Sequence, residues 1–277
     1  MLSPTQLTES EFDFVSKFVY ARSAIVLEKG KEYLVESRLG PIAKALGLGS
    51  LSELIQRLQR SSDRNLEASV IEAMTTNETL FFRDRHPFET LVEETLPRLI
   101  EARREERKLN IWCAATSSGQ EPYSVCILLK EHFPELASWD INFLCSDISE
   151  GMLDRTRAGI YSQLEINRGM PARLMVKYFE KDGATWQIRK DLRDMLTLRR
   201  INLAESWGAM PRLDLVFIRN VLIYFDTETK KRILGCIRRQ MRADGVLFLG
   251  GSETTVNLDS SFQRVRQGET WVYQTAA

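Results

Sequence analysis

Histidine is scarce in this chain: His86 and His132 are the only two among 277 residues. The four cysteines, Cys113, Cys126, Cys145 and Cys236, form no C-x-x-C pair. Without clustered cysteine or histidine, a zinc centre and a histidine-based triad both lack their raw material, and no metal site is expected. Cys113, Cys126 and Cys145 sit among apolar residues, which reads as reduced, buried thiols of a cytoplasmic protein. Net charge is missing too, with 38 Lys and Arg against 38 Asp and Glu. Phosphate backbones attract a basic excess, so nucleic acid is not an expected partner. No apolar run approaches the roughly 20 residues that span a bilayer, so no membrane insertion is expected. The stretch Met1–Phe14 has no basic region followed by an apolar one, so a secretory leader is not expected either.

What is present changes character along the chain. Residues 1–80 read as a small helical domain. Thr8 and Glu11 have capping-box spacing ahead of Phe12, Val15 and Val19. Ser50 and Glu53 repeat that spacing ahead of Leu54, Ile55 and Leu58. Lys31–Leu46 reads as a helix bent or broken at Gly40-Pro41, and a further helix runs from about Asn65 to Met74. Residues 81–277 read differently. Pro87 opens a helix carrying Phe88, Leu91, Val92 and Leu99. Strands at Leu109–Ala115, Ile141–Ser146, Leu213–Ile218, Val246–Gly250 and Thr270–Gln274 then alternate with helices at Pro122–Phe133, Met152–Gly159 and Thr227–Met241. Such alternation predicts an α/β fold with a doubly wound, Rossmann-like sheet. The tail from Phe262 adds an antiparallel pair around Gln267-Gly268. Residues of about 174–200 break the alternation. Their Asp182-Gly183 turn signals a hairpin, and the segment reads as a small antiparallel β insertion ending in the strand Met195–Ile201.

Ligands of open α/β sheets sit beyond the carboxyl ends of the strands. After the first strand comes Thr116-Ser-Ser-Gly-Gln-Glu-Pro-Tyr-Ser124, a turn of small residues with Glu121 opening a helix. After the second comes Asp147, where an acid accepts hydrogen bonds from ribose hydroxyls. The G-x-G-x-x-G turn of dinucleotide enzymes is absent, and a carboxylate at that helix start repels phosphate and suits a cation. S-adenosylmethionine, with an ammonium, a sulfonium and no phosphate, fits better than a dinucleotide. Read alone, Glu121 is also an ordinary acid serving a helix dipole, and Asp147 an ordinary cap.

Three segments add to this reading. Thr75-Thr-Asn-Glu-Thr-Leu-Phe-Phe-Arg-Asp84, Ile111-Trp-Cys-Ala-Ala-Thr-Ser-Ser-Gly-Gln-Glu-Pro-Tyr-Ser124 and Arg219-Asn-Val-Leu-Ile-Tyr-Phe225 resemble, in the same order, the signature segments of the chemotaxis receptor glutamate O-methyltransferase (CheR) family. The resemblance covers nearly the whole chain. It implies a class I methyltransferase sheet with a helical N-terminal domain. It further implies that Asn77, Thr79 and Arg83 reach the cofactor S-adenosylmethionine, that Glu121 holds its ammonium and that Asp147 meets its ribose. Asn202 and Leu203 would meet the adenine, and Arg219 and Asn220 would line the same pocket. Thr116 stands where many relatives have cysteine. Phe81 and Phe82 read as packing residues and His86 as a helix-start residue.

The implied reaction moves the sulfonium methyl to glutamate carboxylates, leaving S-adenosylhomocysteine. A glutamate is ionised at neutral pH, with a pKa of about 4.3, so no strong base is needed. That suits a chain with two histidines. Arg83 is the candidate to orient the incoming carboxylate and Tyr224 the candidate hydrogen-bond donor near the methyl. The implied partners are cytoplasmic helical domains of chemoreceptors, with Arg38 and Lys44 as substrate-binding candidates. The hairpin at Asp182-Gly183 is shorter than in relatives that grip a receptor's C-terminal peptide, which argues against peptide tethering. Two alternatives remain at this level: a non-catalytic S-adenosylmethionine-sensing module, and a methyltransferase with another substrate.

Overall fold

A computed structural model describes residues 7–60 and 62–275. The first six residues of the stretch read for a leader lie outside the described residues. The chain groups into two compact units. One runs up to Thr76 and also takes in Tyr224–Thr229; the other holds Asn77–Ile223 and the residues from Lys230 onward.

The first unit is built from helices α1 (Glu9–Ser23), α2 (Glu32–Ala45), α3 (Leu51–Arg60) and α4 (Arg64–Met74). The Thr8–Glu11 capping box is fully formed, with both reciprocal bonds present. At α3 only half of the expected box forms: Glu53 N donates to Ser50 Oγ, while the Glu53 carboxylate accepts from Gly49 N. Helix α2 runs unbroken through Gly40-Pro41, so of the bend or break the sequence suggested the break does not occur. Val35, Leu39 and Ala43 recur at four-residue spacing and are fully buried, so packing of one face outweighs the single amide lost at proline. The excursion at Tyr224 joins this unit through backbone and side-chain bonds. Val26 N donates to Tyr224 O, Ile25 bridges Phe225, and Tyr20 OH donates to the Asp226 carboxylate at 2.6 Å.

The second unit opens with α5 (His86–Thr90) and α6 (Leu96–Ala102), joined by one π-helical turn. Alternation then gives β1 (Lys108–Ala114), α7 (Gln120–His132), β2 (Asp140–Asp147) and α8 (Glu150–Ala158). A lateral insertion follows: β3 (Ile160–Ser162), α9 (Gln163–Asn167), α10 (Ala172–Tyr178), β4 (Phe179–Asp182) and β5 (Thr185–Ile188). The chain returns through α11 (Lys190–Arg193), β6 (Leu196–Arg200), β7 (Leu213–Ile218), α12 (Thr227–Gln240), β8 (Met241–Leu249), β9 (Phe262–Gln267) and β10 (Thr270–Thr275).

The main sheet has the order β6-β2-β1-β7-β8-β10-β9. Its first five strands are parallel, and β10 and β9 close it as an antiparallel pair. From β1 the chain builds outward through β2 to β6, then returns to place β7 on the other side of β1. The order therefore reverses between β1 and β7, and a crevice opens there beyond the strand ends. Strands β1 and β7 are almost wholly buried and, apart from Lys108, Asn110 and Asp214, apolar, as suits strands of a parallel sheet.

One expectation needs correction. The run around Leu196–Arg200 was read as the last strand of the insertion, but it pairs in parallel with β2, Phe143 opposite Leu196 and Asp147 opposite Arg200. The third strand of the insertion is β3, antiparallel to β5. Nearness in sequence favoured a meander. A parallel pairing to a strand some fifty residues earlier leaves no local signal. The insertion is tied to the sheet layer by Glu131 on α7, which accepts from Tyr178 OH at 2.6 Å and pairs with Lys177 and Arg173. Lys177 first, then Tyr178 and, less strongly, Arg173 hold the Glu131 carboxyl down at about 2.

Candidate functional site

The turn after β1 is tightly coiled because three of its residues are left-handed: Ala115, Ser117 and Gly119, at φ 55°, 51° and 93°. Only glycine suits the last, since a Cβ there would lie 2.9 Å from the Thr156 methyl. The turn is closed by Asp147 at the end of β2. Its two carboxylate oxygens accept from Ser117 N at 2.8 Å and Ser149 N at 3.0 Å. Asp147 is thus a buried acid at the strand ends, while the helix cap expected of it is supplied by Ser149, whose hydroxyl accepts from Met152 N. Thr116 is buried, and its amide donates to Ser146 O.

Glu121 lies in the first turn of α7, its side chain 12% exposed. Arg219, directly after β7, donates to Glu121 Oε2 at 2.5 Å and to the Asp84 carboxylate at 2.8 Å. A third guanidinium bond from Arg219 reaches Arg83 O, and the group stacks over Phe88. On the other side, the Cys113 thiol donates to Glu121 Oε1 at 3.3 Å. Burial first, then the Glu121 charge, push that thiol's pKa well up, so Cys113 is a neutral donor here. Sequence reasoning had Glu121 and Arg219 as separate contacts; the structure makes them an ion pair across the β1–β7 crevice.

The segment that carries Asn77, Thr79 and Arg83 is pinned at several points. Ser117 Oγ donates to Asn77 O at 2.7 Å, and Phe82 N donates to Ser124 Oγ at 3.0 Å. Phe81 is fully buried edge-on against Tyr161 and Phe179. Gly169 packs so closely that a Cβ would stand 2.0 Å from Phe81 O. Phe81 and Phe82 are thus packing residues, as their sequence suggested. Arg83 is half-buried, and one guanidinium nitrogen donates to Glu78 O at 3.3 Å. His86 starts α5, and its Nδ1 meets the Thr270 hydroxyl.

Asn202 and Leu203 follow β6. Asn202 bridges its own loop, accepting from Ala204 N and donating to Glu205. Leu203 is buried, and its carbonyl accepts from the Trp207 indole, which packs at 5.0 Å on Trp112. Asn220 is left-handed at φ 57°, and its Oδ1 is buried without a hydrogen-bond partner. Arg219 Nε is buried and unpartnered as well.

Asn77, Thr79, Arg83, Glu121, Asp147, Asn202, Leu203, Arg219 and Asn220 all belong to the second unit. Tyr224, Arg38 and Lys44 belong to the first. Lys44 is exposed. Arg38 is engaged: its guanidinium donates to Met74 O, Thr75 O and the Thr76 hydroxyl, capping the carbonyl end of α4. A helix end satisfied in this way accounts for Arg38 without a substrate.

Two acids escaped sequence reasoning. Asp84 pairs with Arg219. Glu253, after β8, accepts from four backbone amides: Asn220, Val221, Ile223 and Gly250. The signal was available, since an acid after a strand end had already singled out Asp147.

As a donor set, the strand ends present carboxylates, amide oxygens and one arginine already neutralised by acids. Unpartnered buried atoms at Asn220 and Arg219 call for a polar ligand. This arrangement fits an ammonium- and hydroxyl-bearing group such as S-adenosylmethionine and offers no cradle for phosphate.

Comparison with known proteins agrees. Residues 77–270 match the domain family described as CheR methyltransferase, SAM binding domain, and residues 10–75 match CheR methyltransferase, all-alpha domain. The chain is 38% identical over 270 residues to chemotaxis protein methyltransferase 1 of Pseudomonas aeruginosa, covering 96% of this chain and 97% of that one. It is 36% identical to the chemotaxis protein methyltransferase of Vibrio parahaemolyticus, covering 97% and 98%. Chemotaxis protein methyltransferase Cher2 of Pseudomonas putida is 37% identical, at 95% and 97% coverage.

Proposed function

The chain belongs to the CheR methyltransferase family, and from that premise we propose that it esterifies glutamate side chains in the cytoplasmic helical domains of chemoreceptors. S-adenosylmethionine is its cofactor. When bound, that group supplies an electrophilic methyl on a sulfonium centre.

The observation that carries the reading of the site is the pairing of Glu121 with Arg219 beside Asp147 at the strand-order reversal. Asp147 is a buried carboxylate at the strand ends, and a carboxylate accepts from ribose hydroxyls. Glu121 has spare acceptor capacity beyond Arg219 and Cys113, which suits the methionyl ammonium. Asn220 Oδ1 lines the same pocket in this reading, with Asn77 and Thr79 contributed by the pinned segment. Asn202 and Leu203 flank the adenine.

Chemistry then needs little from the protein beyond alignment. A glutamate acceptor is already an anion at neutral pH. Arg83 orients it, and the barrier falls through positioning and partial desolvation of the carboxylate. Tyr224 stays a catalytic candidate on family resemblance alone. Lys44 is a candidate contact for acidic receptor helices; Arg38 is a weaker one, given its bonds to α4. Among the described residues no helix is long and apolar enough to cross a membrane. We place the reaction in the cytoplasm, where receptor signalling helices lie.

The test uses methyl-labelled S-adenosylmethionine with membranes carrying chemoreceptors. Label on the receptor that mild base releases as methanol is the expected result. Tight cofactor binding with no receptor label would reject the receptor as substrate.

A further inference from the structure

Glu253 is a buried carboxylate, 9% exposed, with no cation among its hydrogen-bond partners. Its Oε2 accepts from Asn220 N at 2.8 Å and Gly250 N at 2.7 Å. Its Oε1 accepts from Val221 N at 2.9 Å and Ile223 N at 3.3 Å. Three of these amides belong to the turn after β7, and the fourth, Gly250, directly follows β8. The turn begins with Asn220 in a left-handed conformation, at φ 57°, which a non-glycine residue holds only when its surroundings enforce it. Gly250 is part of the same lock. A Cβ there would meet Glu253 Oε2 at 2.7 Å, Asn220 Nδ2 at 2.8 Å and Asn220 N at 2.9 Å.

From this geometry we infer that Glu253 is a positioning residue for cofactor binding: its charge gathers the 220–223 amides and so fixes the direction in which Arg219 and Asn220 project. The inference rests on the proposed cofactor role of those two residues. An anion is needed, since only an ionised carboxylate accepts from four amides without placing a donor against one of them. Glutamine in its place would turn an NH2 toward two N–H groups. The turn would then relax out of its left-handed start, and the unpartnered Asn220 Oδ1 would lose its direction.

The test compares wild type, Glu253→Gln, Asn220→Ala and the double variant in steady-state methyl transfer, with calorimetric titration of S-adenosylmethionine and a thermal midpoint for each. Glu253→Gln is expected to raise KM for S-adenosylmethionine about tenfold or more, with kcat changed less, since a small misplacement suffices for such losses. Adding Asn220→Ala to it should cost little further affinity. A Glu253→Gln protein with a lower thermal midpoint but wild-type KM and affinity would make Glu253 merely structural and overturn the inference, as would fully additive losses. Should Glu253→Gln not fold, Gly250→Ala takes its place, with the same expected and opposing results. Wild type that binds no S-adenosylmethionine defeats the underlying reading instead, and is recognised because the failure precedes any substitution.

Discussion

Strand β7 joins two buried ion-pair clusters, Asp214 near its start and Arg219 just past its end. At the start, Asp214 is fully buried and accepts from Arg103 Nε at 2.6 Å and from Asn110 N at 2.8 Å. Arg103 also binds Asp244, and Arg242 ties Asp214 to Glu106. At the end, Arg219 binds Glu121 and Asp84, but beside it Asn220 Oδ1 has no partner and three residues of the β1–α7 turn are left-handed. Both clusters bury charge. The first holds strands and helix α6 in register, whereas the second stands where the strand order reverses and keeps polar capacity for a ligand. Burial of an arginine therefore does not distinguish scaffold from site; position along the strand does.

The contrast is broken most forcefully at the scaffold end. Asp214→Asn leaves Arg103 and Arg242 poorly compensated and should lower stability by about 3–5 kcal/mol in urea unfolding, while the folded fraction keeps wild-type affinity for S-adenosylmethionine. A loss of affinity there would erase the distinction. At the site end the pattern should invert. Asp147→Ala removes charge-assisted bonds of about 1.5–3 kcal/mol each, so titration should show affinity weakened roughly 10- to 100-fold. Arg83→Ala sharpens the matter further, because Arg83 is proposed to act on the acceptor. Its kcat with receptor membranes should fall about tenfold or more while cofactor affinity falls less; an equal fall in both would make it only a cofactor contact. The smallest effect is one of pH. Arg103 first, against the opposing effect of burial, holds the Asp244 carboxyl below its ordinary value. A depressed folded-state pKa gives stability that is present above the ordinary carboxylate range and lost as pH falls below it. Thermal melts between pH 5 and 2 should show a shallower acid decline for Asp244→Asn than for wild type.

The sheet and its helices were legible because apolar runs at Ile111, Phe143, Val216 and Val246 stand between capped or turn-bounded segments. The site was legible as places rather than as bonds. Glu121 and Asp147 follow strand ends in sequence, so their location could be read directly. That Glu121 meets Arg219 could not, because 98 residues separate them and only the sheet order brings them together. Glu253 could likewise have been read as a place, an acid after a strand end, but not as bonds, because its partners are backbone amides, which leave no trace in side-chain chemistry. Arg38 shows the converse case. Its charge suggested a surface contact, but the open carbonyls at the end of α4 lie within its reach. Pro41 likewise suggested a bend or a break, and the buried face of α2 carries the helix through without the break.

The excursion of Tyr224–Thr229 into the helical unit bears on heredity as much as on packing. A unit made of one uninterrupted stretch can be cut out, duplicated or exchanged between genes at two junctions. Here the helical unit owns six residues encoded almost 150 codons downstream of its main stretch, among them the buried Phe225. A recombination event at Thr76 would deliver helices without the hexapeptide that completes them, and leave the hexapeptide stranded in the other product. The two units are therefore expected to travel through evolution as a pair, and chimeras joined near residue 76 should be soluble only when residues 224–229 come from the same parent as the helices.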